Sequence, residues 1–345
     1  MELKEFMYEL PQSLIASYPS EDRAGARLMV VERNTGDISH SDFSSLVDFL
    51  SPGDLLVLND SQVLPVRLRG KKESGGRVEV LLLEAFPEQG NFWIALIDAA
   101  KRPRAGSRII FSDGVYAEVI GVMGSGRYGL RIHHQGSFTD VLSKVGEPPL
   151  PPYIHRNRDL APLDWERYQT VYAASPGSIA APTAGFHFTK DLLGEVRKRG
   201  VHTAFLTLHV GPATFRPVRT EDLQCHQMEG ERYTLSETAA AKVDRAKREG
   251  RRVIAVGSTS TRTLEGIAQR RGRIEADHGF ARLFIRPGFS FRVINGLITN
   301  FHLPGSTPLI LVAAFAGLDL VRRAYREAVQ LRYRFYSYGD AMLIL

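Results

Sequence analysis

The chain has 345 residues, 43% hydrophobic and 24% charged, which is ordinary globular composition and enough length for roughly two domains. Forty-four Lys and Arg against 38 Asp and Glu leave a net charge of +6, compatible with an anionic partner such as RNA without specifying one. The single cysteine, Cys225, excludes an internal disulfide and a multi-cysteine zinc site, and the most apolar run, Leu309 to Leu318, is too short for a bilayer span of about twenty residues.

The N-terminus has acidic residues and no long apolar core, so no secretory signal is expected and the protein reads as soluble and cytoplasmic. Residues 4 to 18 are interrupted at Leu10-Pro11 and Tyr18-Pro19, which limits any helix there to a short one. Arg27 to Val31 reads as a buried strand closed by the turn Asn34 to Asp37, and Phe43 to Leu50 has helical spacing stopped at Pro52-Gly53. Leu55 to Leu58 is a second apolar strand. It delivers Asn59, Asp60 and Ser61 to its C-terminal end, where α/β proteins bind ligands.

From Arg67 onward the texture becomes short β-rich runs: Arg77 to Leu83, Phe92 to Ile97, Arg108 to Phe111, Tyr116 to Val122 and Tyr128 to Ile132, separated by glycine turns. With helix-rich sequence on both sides, the expected fold class is a mixed α/β main domain, residues 1–66 and 147–345, with a small all-β barrel domain inserted at 67–146. Pro148 to Tyr153 reads as a stiff connector.

The stretch Arg167 to Thr189, RYQTVYAASPGSIAAPTAGFHFT, brackets a run of small residues between aromatic-rich ends. Either it is an ordinary Gly/Pro loop or its backbone lies close to a ligand, with Arg167, Tyr168, Gln169, Pro182, Thr183, Ala184 and Gly185 as candidate binding residues. A helix over Lys190 to Arg199, a strand from Thr203 to Val210 leading past His209, and a helix at 236–249 begun by Ser236 follow. Arg252 to Val256 is a strand that enters Gly257-Ser258-Thr259-Ser260-Thr261-Arg262 and then a helix through Arg271. Free amides, hydroxyls and Arg262 at a helix start can meet a carboxylate or phosphate; a plain Ser/Thr cap explains the same pattern.

Leu283 to Ile285 and Phe291 to Ile294 read as a strand pair. They precede Asn300-Phe301-His302 and Ser306-Thr307, an apolar helix over Leu309 to Phe315, another from Leu320 to Leu331, and a terminal strand after Gly339-Asp340. His187, His209, His226 and His302 lie in or near these motifs at spacings unlike a local metal site, so no metal is expected. Imidazoles in such loops either move protons near neutral pH or simply hydrogen-bond the backbone. A Gly-x-Ser-x-Gly elbow, a P-loop lysine after Gly257 and a dinucleotide fingerprint are all missing from the sequence.

YELPQSLIASYP, DLLVLNDSQVLPVRLRG, PLPPYIHR, RYQTVYAASPGSIAAPTAGFHFT, TLHVGPATFRPV, TNFHLPGSTP and YRFYSYGDAMLIL, in this order, resemble the S-adenosylmethionine:tRNA ribosyltransferase-isomerase family of queuosine biosynthesis over essentially the whole chain. The chain departs from the family pattern at Ala213 (usually glycine), Glu229 (usually histidine), Thr261 (usually valine) and Phe186 (usually leucine). The resemblance implies an α/β domain with an inserted barrel. It also implies transfer and isomerisation of the ribosyl group of S-adenosylmethionine onto the aminomethyl group of 7-aminomethyl-7-deazaguanine at the tRNA wobble position, releasing adenine and methionine and leaving epoxyqueuosine. S-adenosylmethionine is then a consumed cosubstrate with no further cofactor, tRNA is the partner, and a monomer is expected. For proton transfer His187 and His302 come first, with His209, His226 and Glu229 in reserve. A noncatalytic RNA-binding protein, or another enzyme of adenosylmethionine or nucleosides, is the alternative.

Overall fold

The computed structural model describes residues 1–86, 88, 91–151, 154, 161–211, 218 and 220–345, without the side chains of 161–163. The departure at Ala213, residues 152 and 153 of the connector at 148–153, and part of the motif that follows lie outside the described residues.

Strands β1 (Arg27–Val31) and β2 (Ile38–Asp42) form a hairpin, followed by a 3-10 run at Phe43–Phe49, β3 (Leu55–Asn59) and β4 (Ser61–Val63). Next come β5 (Arg67–Lys72), β6 (Arg77–Phe86), β7 (Phe92–Asp98), β8 (Arg108–Ser112), β9 (Val115–Val122) and β10 (Arg127–His133), then helix α1 (Phe138–Val145) and the two-residue β11 (Gly146–Glu147). The chain returns through α2 (Ala161–Arg167), β12 (Ser175–Ser178), a 3-10 turn at Thr183–Gly185, α3 (Lys190–Lys198) and β13 (His202–Leu208). It ends with β14 (Glu231–Leu235), α4 (Glu237–Arg248), β15 (Val253–Val256), α5 (Gly257–Arg271), β16 (Asp277–Ala281), β17 (Gly296–Asn300), α6 (Thr307–Ala316), α7 (Leu318–Gln330) and β18 (Ala341–Ile344).

The fold is mixed α/β with an antiparallel barrel. A nine-stranded sheet runs β16-β14-β13-β3-β15-β17-β18-β1-β2, and β5-β6-β7-β10-β9-β8 closes through a β5–β8 pairing. Period-2 alternation builds both cores of the large sheet. In β3, Leu55 and Val57 face the core shared with α4 to α7, while Leu56 and Leu58 face the one that holds α3 and the Phe43–Phe49 run. The barrel encloses Val78, Val80, Leu82, Ala95, Ile109, Ala117 and Leu130.

Two expectations need correction. Helix α1 caps the barrel's end with Leu142, although the sequence of that region reads as strands and turns. Leu283 to Ile285 and Phe291 to Ile294 are not strands: the buried Glu265 carboxylate accepts the amides of Arg292, Val293 and Ile294 at 2.8 to 3.0 Å, so that backbone is satisfied without a ladder. The strand nearby is instead β16, whose sequence DHGFA has little β character.

Candidate functional site

Strands β3, β13, β15 and β17 are mutually parallel, whereas β18 is antiparallel to β17 and β1 is parallel to β18. One edge of the sheet therefore collects the C-terminal ends of four strands and the N-terminal ends of two. Asp60, His209, Gly257 and Asn300 all emerge there.

Asn59 is buried and structural: its amide donates to Leu208 O at 2.9 Å and its Oδ1 accepts from Leu208 N and Ser61 N, pinning β3 to β13. It also donates to Thr259 Oγ1 at 3.3 Å, joining the first turn of α5. Asp60 accepts from Thr207 Oγ1 at 2.6 Å while its carbonyl takes the amides of Ala174 and Ser175. His209 lies over Gly177, whose backbone has φ +138 and whose missing Cβ would come within 2.9 Å of the ring. Its Nδ1 is covered and has no hydrogen-bond partner among the described residues, and burial followed by Arg232 pushes its pKa down to about 4.

The small-residue stretch is packed against protein rather than held open. Ile179 belongs to the barrel core, Ala180 to a main core, and Ala181 to a cluster with Tyr168, Phe186 and Tyr338. Pro182 and Ala184 are buried, and a Cβ at Gly185 would lie 2.0 Å from Tyr172 Oη. Room for a ligand at Gly185, expected from its size, is thus filled by Tyr172. Gln169 holds the backbone of Val63 through both amide atoms, at 3.1 and 2.8 Å.

The two Phe-His motifs are separated by the sheet. His187 Nε2 meets Asn300 Nδ2 at 3.1 Å, with its ring 5.0 Å from that of Phe43. His302 Nε2 meets Thr299 Oγ1 at 2.7 Å, and its backbone N–H donates to Tyr325 Oη. Thr299 and Asn300 are consecutive in β17 and so face opposite sides. Burial above all pushes both pKa values down to about 3, with Arg23 and Arg334 adding to the effect at His187. Thr183 Oγ1 also donates to Asn300, at 3.3 Å.

His187 shares a crevice with Arg23, Arg167, Phe186 and Tyr338. Arg167 donates to the carbonyls of Glu21 and Ser20, and Arg23 to those of Glu166 and Phe186; neither has a carboxylate within 4 Å among the described residues. Burial and the neighbouring Arg167 lower the pKa of Arg23.

Arg262 lines the cavity at the helix starts, but its guanidinium is committed to protein partners. It lies inside α5, ion-paired with the buried Glu231, and donates to Leu283 O and Ala281 O at 3.1 and 2.9 Å. Helix α5 begins directly at Gly257, φ +87, without the intervening turn that the sequence suggests, so Arg262 falls more than a turn inside. The useful part is the helix start. Neither α5 nor α6 has a side-chain cap: the N-cap residue of α5 is Val256, whose side chain has no acceptor, and Ser306 Oγ at α6 donates to Leu303 O instead. Ser258 and Thr307, at the two starts, line one cavity with Met228, Phe284 and Leu311.

His226 packs edge-on against Phe284 at 4.8 Å, and burial lowers its pKa. Glu229 is ion-paired with Arg127 of the barrel at 2.6 Å, which ties the barrel to the main body. Sequence reasoning misses Glu231, which also accepts Gly211 N at 2.8 Å. Its signal is a carboxylate in phase with the buried Tyr233 and Leu235 of β14. Among the described residues no His, Cys, Asp and Glu side chains gather as a metal site, and no helix is long and apolar enough to cross a membrane.

The family model described as queuosine biosynthesis protein matches residues 3–344. Proteins named S-adenosylmethionine:tRNA ribosyltransferase-isomerase are 48% identical in Syntrophotalea carbinolica and 50% identical in Carboxydothermus hydrogenoformans, with 100% of both chains covered in each case. The crystal structure of an S-adenosylmethionine tRNA ribosyltransferase from Thermotoga maritima is 36% identical, with a TM-score of 0.55 over 99% of this chain and 100% of that one.

Proposed function

The chain belongs to the queuosine biosynthesis protein family, and from that premise we propose that it is an S-adenosylmethionine:tRNA ribosyltransferase-isomerase. The observation that carries this reading is the match, end to end and near 48% identity, to proteins of that name. The substrate is a tRNA bearing 7-aminomethyl-7-deazaguanine at the wobble position. The ribosyl group of S-adenosylmethionine passes to its aminomethyl nitrogen and is rearranged to give epoxyqueuosine, while adenine and methionine leave. The adenosylmethionine is consumed.

In this reading residues 1–66 and 147–345 carry the chemistry and 67–146 form an inserted barrel. The methionine carboxylate sits at the starts of α5 and α6 near Ser258 and Thr307, where unsatisfied amides and two helix dipoles favour an anion. Proton abstraction beside the sulfonium falls to His209. It emerges at the same sheet edge, is neutral at pH 7, and has a ring nitrogen, Nδ1, with no hydrogen-bond partner among the described residues. His187 and His302 are already bonded to Asn300 and Thr299, and support that edge from its two faces.

The test is adenine release from S-adenosylmethionine with tRNA carrying the precursor base, against tRNA carrying guanine. Release that requires the precursor is the expected result; none with either tRNA defeats the reading.

A further inference from the structure

We propose that the outer face of the barrel around β5 and β8 holds the phosphate backbone of the RNA substrate, a proposal that rests on the tRNA-modifying function inferred above. Strand register places Arg77, Lys71, Ile110, Tyr116 and His133 in one row across β6, β5, β8, β9 and β10. The next residues along four of these strands, Val78, Ile109, Ala117 and Ile132, are buried inside the barrel, so the row points outward.

Lys71 and Arg77 are directly opposed, an arrangement that costs energy unless an anion lies across it. Of the carboxylates on that face, Glu79 pairs with Arg67 and Arg69, Glu147 with Arg69, and Glu118 lies 3.6 Å from His133 of the row itself. The exposed Lys101, Arg102 and Arg104 join this end, since Lys72 Nζ donates to Lys101 O at 2.7 Å. Stretches 69–77 and 98–108 together hold eight Lys and Arg against two acidic residues. That excess of six equals the net charge of the whole chain, so the remainder, 36 basic and 36 acidic, is neutral.

Beside the cations, Tyr116 stacks on His133 with centroids 4.5 Å apart, and the Arg108 guanidinium lies 5.3 Å from the Tyr116 ring. Ile110 is 45% exposed in the same row. Cations interleaved with planar and apolar groups suit a ribose-phosphate chain, whose charge they neutralise and whose sugars and bases they pack on.

The experiment uses the full-length enzyme carrying Lys101→Glu, Arg102→Glu and Arg104→Glu together, a second variant with Lys71→Glu and Arg77→Glu, and a charge-matched control, Arg245→Glu, Lys247→Glu and Arg248→Glu on α4. Expected are a rise of about tenfold or more in the KM for tRNA in both barrel variants, an unchanged KM for S-adenosylmethionine, and a salt slope of tRNA binding smaller by roughly one for each phosphate no longer neutralised. The control should change the KM for tRNA less than twofold. Barrel variants that keep the wild-type KM, or a control that raises it equally, overturn the proposal. If the wild type releases no adenine, the functional reading fails separately, and filter binding of tRNA to the same proteins still decides the surface.

Discussion

His209 combines a covered Nδ1, unpartnered among the described residues, with a pKa of about 4, so it is already in the form that accepts a proton at pH 7. His209→Ala should lower turnover by roughly a hundredfold or more. Melting should stay nearly unchanged, because the ring Nδ1 makes no hydrogen bond among the described residues. Near-normal turnover in a folded variant would remove the role. His187 behaves differently. Its pKa near 3 lies below the ordinary value of about 6.5, so its stabilising neutral form is complete above that value and is lost as pH falls toward 3. Being fully buried, it should cost the fold on the order of 2 kcal/mol by pH 5. Denaturant titrations at pH 7 and 5 should therefore show a smaller loss for His187→Asn than for the wild type, and equal losses would contradict the assignment. Gly185→Val should unfold the protein rather than merely block a ligand, since Thr170 Cγ2 at 2.8 Å and Tyr172 Oη at 2.0 Å occupy the space. A destabilisation of about 3 kcal/mol or more is expected from such overpacking. Wild-type melting with no adenosylmethionine binding would restore Gly185 to the pocket.

At the scale of elements, the starts of α5 and α6 are more informative than the side chains within them. Strand β15 runs straight into α5 because Gly257 adopts a positive φ, which leaves the first amides uncapped at the sheet edge. Ser258→Asp places a carboxylate where the ligand's is expected. It should raise the KM for S-adenosylmethionine about tenfold or more while leaving melting equal or higher, because an acid in a first turn favours the helix. An unaltered KM would dissociate that cavity from the cosubstrate. The strand-helix succession here was legible from four apolar residues followed by Gly257, but the destination of Arg262 was not. Its partner Glu231 lies 31 residues away, and only the packing of β14 against β16 beside α5 brings the two together. The barrel strands were legible because outward and inward residues alternate around a single small core, whereas β16 escaped notice because its pairing with β14 outweighs the weak propensity of its own residues.

Across the whole molecule, the last strand is in the interior of the sheet. Strand β18 sits between β17 and β1, and its four residues are all buried. Asp340 immediately before it accepts from the Arg27 and Arg334 amides and pairs with the Arg27 side chain at 3.0 Å. Deleting residues 341–345 removes ladder partners from both neighbours and should leave no soluble folded protein. A truncated chain with a cooperative melt near the wild-type temperature would show the strand to be dispensable.

What the sequence alone determined about this protein is local: period-2 alternation, proline and glycine stops, the Ser236 cap, the uneven basic charge, and the ordered motifs that carry the family resemblance. Those follow from sterics and periodicity within a few residues. Tertiary structure decided which side chains remain for chemistry. The pairings of His187 with Asn300, Thr207 with Asp60 and Arg127 with Glu229 span 113, 147 and 102 residues. No local pattern encodes such distances; they arise when the barrel closes and parallel strands bring remote loops to one edge. The same physics that made the small-residue stretch conspicuous gave it a packing role, because small residues are what fit where the barrel core, the main core and the Tyr168 cluster meet.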